Sequence, residues 1–200
     1  MLRILKQLFP LFAVQFFTWL ALFTLWIYAT PVITRYLFNS TDAESVAFET
    51  GISWVGIYFA FYATLAACLA FLIPKLSKHI CKEYLHAFAL LTGAVGLLLI
   101  YFIRNRYQMF LSFAFIGIAW SSISNIPYSI VSEFAPENKI TAYFMVFNFS
   151  VVIPQVTAAF LLGYIHKRFF AGEVINIILV GAGAMFIASL IMFTMKKDKA

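Results

Sequence analysis

The chain has 200 residues, of which 64% are hydrophobic and 11% charged, with a formal net charge of +6 and a mean hydropathy of +0.93. Soluble domains carry about 25% charged residues and roughly 45–50% apolar ones, so a water-soluble fold is excluded and an all-α integral membrane protein is expected. The basic residues lie in short gaps between apolar runs rather than along one face, which argues against a nucleic-acid surface and reads as a topology signal.

Six runs reach the roughly 20 apolar residues that a helix needs to cross hydrocarbon. They are about 8–34, 51–73, 84–103, 108–131, 141–163 and 174–195, and they make residues 1–200 one six-helix transmembrane bundle. The first run is too long for the apolar core of a signal peptide and has no small-residue cleavage site at the right distance, so it is read as the first span. Gln15, Trp19, Trp26 and Thr30 lie along one broad face of it, and Pro31 predicts a tilt or kink near its end. Indole N–H groups and an amide beside flat aromatic surface suit a sugar, which offers hydroxyls at its rim and C–H groups on its face. Interface anchoring is the competing reading for the tryptophans.

The second span places Trp54, Tyr58 and Tyr62 at i, i+4 and i+8, where they line a pathway or half–half interface, or pack. The third span is uniformly apolar with the small-residue patch "TGAVG". Its His86 is the one buried proton-carrier candidate, and a structural role is the simpler reading. The fourth span contains "GIAWSSISNIPYSIVSEFAP", residues 117–136. On a continuous helix Ser121, Ser124, Asn125, Tyr128 and Ser132 share one face, opposite Ile118, Ile123, Ile126 and Ile130. Pro127, read like Pro31 and Pro154 as a helix break, frees a backbone carbonyl near Ile123. Such a stripe must face protein or water, either as interhelical hydrogen bonding or as the lining of a cavity. The fifth span carries Asn148 and Gln155 two turns apart, with Pro154 adjacent, again as pathway or packing groups. The sixth is as apolar as the third and has the patch "GAGA".

Nine Lys and Arg residues fall on one side (Arg3, Lys6, Lys75, Lys78, Lys82, Lys139, Lys196, Lys197, Lys199) and five on the other (Arg35, Arg104, Arg106, Lys167, Arg168). That bias places both termini in the cytoplasm. The spans also divide into two sets of three. Each set begins with a Trp- and Pro-containing span and ends with a bland one, so a 3+3 inverted repeat is expected. No Asp or Glu falls mid-span. Cys68 and Cys81 form no CxxC pair, and no metal cluster, phosphate loop or nucleophile triad is legible. Neither a cofactor nor an enzyme activity is expected.

"WSSISNIPYSIVSEFAPENK" followed by "TAYFMVFNFSVVIPQVTAAFLLG" resembles the sucrose-transporter-like sugar:cation symporters of the major facilitator superfamily. Phe147-Asn148 and Val152-Ile153-Pro154-Gln155 carry most of the likeness, and "PKLSKHICKEY" is similar to that superfamily's basic loop without its usual Asp and Gly. The resemblance implies half of a major facilitator fold, the six spans standing for helices 7–12 of a twelve-helix transporter. It implies that the first and fourth spans line the central cavity and that the coupling carboxylates belong to the other half. The expected function is then the C-terminal half of a secondary transporter for a sugar or glycoside, with proton coupling supplied elsewhere. Its expected partners are the lipid bilayer, a small sugar, and an N-terminal six-helix half or a second copy. The alternative is a non-transporting six-span scaffold or a degenerate transporter remnant.

Overall fold

The computed structural model describes residues 2–195, with side chains from residue 8 onward. Over these residues helix is the only regular secondary structure, as a chain must be where lipid offers its backbone no partner. The helices are α1 (Leu2–Leu37), α2 (Val46–Ala70), α3 (Ile73–Leu76), α4 (Lys82–Phe102), α5 (Met109–Ile123), α6 (Ile126–Phe134), α7 (Ile140–Phe169) and α8 (Asn176–Thr194). With α5 and α6 taken together, six helical segments are long and apolar enough to cross a membrane. Of the residues in the charge count, the side chains of Arg3 and Lys6, and Lys196, Lys197 and Lys199 altogether, lie outside the described residues.

Local chemistry moves several boundaries. The second span starts before residue 51 because Ser45 caps it, its hydroxyl accepting from the Phe48 N–H at 3.2 Å. Glu49 consequently sits in the first turn of α2 rather than in a loop, where the helix dipole favours an anion. Pro31 and Pro154 lie inside α1 and α7 without ending either helix. Pro127 behaves differently. The fourth span breaks at Ser124 and Asn125, and Asn125 adopts φ −122° and ψ −56° ahead of α6. The single polar face drawn on a continuous fourth helix is therefore corrected to two helices, and the breaks expected at Pro31 and Pro154 are absent.

The core is a ring. α1 packs on α8, α8 on α4, α4 on α5, α5 on α2, and α2 on α1, while α7 lies against α1 outside the ring. The small-residue patches of the third and sixth spans are among the close approaches in it. A Cβ on Gly96 would lie 2.8 Å from the Ser112 carbonyl oxygen, and one on Gly181 would lie 3.1 Å from Thr24. Backbones meet this closely because lipid gives helices little reason to associate except packing and hydrogen bonds. Exchanging the first three spans with the last three carries several packing pairs onto one another, although α7 on α8 has no counterpart of similar extent between α2 and α4. α1 on α8 becomes α5 on α4, α1 on α7 becomes α5 on α2, α1 on α2 becomes α6 on α7, and α4 on α8 is unchanged.

Two spans are poorly covered. Only 22% of the most apolar window of the second span and 33% of that of the fifth is buried, against 50–56% for the other four. Both flank α1, so α1 and the α5–α6 break lie between two under-packed helices.

Candidate functional site

Between those helices three indoles meet. Trp19 and Trp26 of α1 and Trp120 of α5 lie 5.9–6.1 Å apart by ring centroid, at edge-on or steeply inclined angles, with Phe23 against Trp19 and Trp26. They meet because α1 repeats its large rings at i, i+4 and i+7 and so presents them on one stripe. All four rings are half-buried, held by the bundle yet open on one side. The Trp26 N–H is donated to the Tyr62 hydroxyl at 3.3 Å. That leaves the Trp19 and Trp120 indoles as the N–H donors of this cluster with no acceptor among the described residues.

Gln15 departs from the expected face. It is buried, and its Oε1 accepts no hydrogen bond from the described residues. Thr30 remains half-buried, and its carbonyl accepts from the Thr34 hydroxyl at 3.0 Å. In α2, Tyr58 and Tyr62 turn inward. The Tyr58 hydroxyl donates to the Arg106 carbonyl at 2.7 Å and its ring stacks on Phe113 at 5.0 Å. Trp54 joins Tyr58, Tyr107 and Phe110, with the Arg106 guanidinium 5.4 Å over its ring. Trp54 and Tyr58 therefore pack beside the Arg104–Arg106 loop, whereas Tyr62 reaches Trp26 of the indole cluster.

The five-residue stripe of the fourth span is divided by the break. Ser121 is buried and donates to the Ile118 carbonyl at 2.7 Å. Ser124 donates to the Trp120 carbonyl at 2.8 Å, and Ser132 to the Ser129 carbonyl at 2.7 Å. These hydroxyls bond back onto their own helix, and the Ser124 oxygen also accepts from Asn125 Nδ2 at 3.3 Å. The Asn125 Nδ2 donates to the Ser121 carbonyl at 2.7 Å, tying the break together from within. Tyr128 turns toward α7, stacked on Phe144 at 6.2 Å and edge-on to Phe147 at 5.3 Å. Ser124, Asn125 and Ser132 are exposed, whereas Ile123, Ile126 and Ile130 face the core.

Interhelical bonding falls to serines outside the stripe. Ser122 Oγ lies 2.7 Å from His86 Nδ1, and Ser129 Oγ accepts from Lys82 Nζ at 2.7 Å, where Lys82 also pairs with Glu133. Lys82 and His86 stand one turn apart on α4, and Ser122 and Ser129 two turns apart across the break. The i, i+4 spacing of Lys82 and His86 was present in the sequence, but their unequally spaced partners across the break were not marked by it. The fifth span exposes both of its amides. Asn148 and Gln155 lie on the uncovered side of α7 and form no hydrogen bond within the described residues, while Pro154 is buried. Among the described residues no group of His, Cys, Asp and Glu could hold a metal ion.

No protein-family model matches the chain. Comparison with curated proteins finds no significant relative.

Proposed function

We propose that this chain is one six-helix half of a secondary transporter for a sugar or glycoside, and that a second six-helix bundle closes its path and supplies proton coupling. The observation that carries this reading is a half-buried indole cluster together with exposed polar groups on the surrounding spans. It comprises the Trp19–Trp26–Trp120 cluster, Ser124 and Asn125 at the break, and the unpaired amides of Asn148 and Gln155. Amides and hydroxyls in contact with acyl chains lose hydrogen bonds that nothing repays, so such groups belong against water, solute or another protein. Flat indoles with two unused N–H donors fit the C–H faces and hydroxyl rim of a pyranose. The exchange symmetry of the packing pairs supports a 3+3 inverted repeat, an arrangement that puts solute sites at repeat interfaces near the midplane. A packed six-span scaffold would have no reason to leave these groups open.

The test is reconstitution. The chain alone in liposomes is expected not to accumulate any of a panel of radiolabelled mono- and disaccharides. Co-reconstitution with a matching N-terminal six-span half is expected to give uptake that responds to an imposed proton gradient. In that assembly Asn125→Leu should weaken apparent sugar affinity roughly five- to a hundredfold, the loss of about 1–3 kcal/mol from one unmade hydrogen bond. Uptake unaffected by Asn125→Leu, Trp19→Ala and Trp120→Ala together would remove these groups from the solute path.

A further inference from the structure

A second opening lies at the membrane-edge end of the fold, where α3, the start of α4 and the break before α6 come together. It is a cavity of about 390 Å³, within the range of small-ligand sites. Its polar lining is Ser77, Lys78, Lys82, Asn125 and Ser129, and no carboxylate lines it. Glu133 reaches Lys82 from outside that lining. Lys78 is exposed and has no acidic partner among the described residues. The remaining wall is apolar, made by Ile73, Pro74 and Ile126. The Ser77 hydroxyl and the Asn125 amide donate to backbone carbonyls, so the two ammonium groups, with the Ser129 hydroxyl beside Lys82, make this opening an anion site.

The surroundings identify the source of the anion. The segment around α3 turns large apolar side chains outward, with Phe71 80%, Leu72 45%, Leu76 40% and Ile80 42% exposed. A connecting loop bathed in water would not hold that surface, whereas one lying in the headgroup layer buries it in the acyl boundary. A lysine cavity opening beside such a segment meets phosphate on a lipid before it meets free phosphate. Basic pockets between transmembrane helices are headgroup sites for the same reason.

We infer that the cavity lined by Lys78, Lys82, Ser77 and Ser129 binds the phosphate of an anionic phospholipid, whose acyl chains lie along the apolar side chains of the α3 segment. Nothing in this assignment depends on what the protein transports.

The experiment uses the full chain in a neutral detergent and three probes: dihexanoyl phosphatidylglycerol, dihexanoyl phosphatidylcholine and inorganic phosphate. Thermal unfolding and native mass spectrometry read binding. Phosphatidylglycerol is expected to raise the melting temperature saturably and to persist as a bound adduct. Lys78→Ala, which breaks no ion pair, should weaken its apparent affinity about fivefold, the share of one lysine near a membrane surface. Lys78→Arg should restore it. Lys167→Ala, at the other end of the bundle, should leave it unchanged. Equal stabilisation by phosphatidylcholine would overturn the anion preference. Equal stabilisation by inorganic phosphate would overturn the lipid as its source. The same loss from Lys167→Ala as from Lys78→Ala would overturn the location.

Discussion

His86 Nδ1 and Ser122 Oγ lie 2.7 Å apart, both residues wholly buried, and join α4 to α5 within the membrane-spanning part of the bundle. The other imidazole nitrogen, Nε2, has no partner among the described residues. The ring is therefore held at one end only. Ser122→Ala should leave both ring nitrogens unpaired and cost about 1–3 kcal/mol, seen as a lower melting temperature in detergent. Combined with His86→Leu, the loss should be less than additive, with a coupling energy of about 0.6–1.7 kcal/mol for an intramembrane pair. Strict additivity would mean that the contact stabilises nothing.

The glycines separate packing from propensity. Gly96 has no room for a methyl group, since its Cβ would sit 2.8 Å from a backbone oxygen of α5, whereas Gly183 has nothing within 4 Å. Gly96→Ala should destabilise the bundle by about 1–3 kcal/mol through overpacking. Gly183→Ala should be neutral or stabilise by about 0.5–1 kcal/mol, because alanine loses less backbone freedom in a helix. Paired thermal unfolding measurements decide it, and equal effects at the two positions would contradict the α4–α5 contact.

Glu173, in the turn between α7 and α8, accepts from the Tyr36 hydroxyl at 2.5 Å and from Arg35 at 3.0 Å. The Tyr36 hydrogen bond first, and the Arg35 charge second, hold its carboxyl below the ordinary value of 4.5. A depressed folded-state pKa contributes stability that is present above the ordinary value and lost as pH falls through the folded one. Melting temperature should therefore fall below about pH 4.5 more steeply in the wild type than in Glu173→Gln. The exposed position and salt screening keep the difference small. Parallel pH profiles would show that the clip carries no linkage.

Orientation is read by labelling. In a Cys68→Ser background, Cys81 is expected to react with a membrane-impermeant maleimide only after permeabilisation, because the Lys75, Lys78 and Lys82 loop is expected on the cytoplasmic side. A cysteine introduced at Asn105, between Arg104 and Arg106, should label in intact cells. The reverse pattern would invert the topology and place the lysine cavity on the outer leaflet.

Much of this architecture was written in the sequence. Apolar run length alone set six spans, because hydrocarbon thickness leaves a helix little choice. Local chemistry in reach of its own helix was legible too: the break near Pro127, and the small-residue patches where backbones approach. Fold-level pairing decided the rest. Ser121, Ser124 and Ser132 share a face with Asn125, yet they bond to their own helix, while Ser122 and Ser129 make the crossings to His86 and Lys82. No periodicity within one span reveals which helix lies opposite a given hydroxyl. Gln15 shares a stripe with Trp19 and Trp26 but is buried, because the stripe runs from the under-packed groove into the bundle. Trp120 completes the indole cluster only because the bundle brings its ring on α5 to Trp19 and Trp26 on α1. Side-chain period fixes direction around one axis. The partner at the end of that direction is set by how six axes pack, and that is a property of the tertiary structure alone.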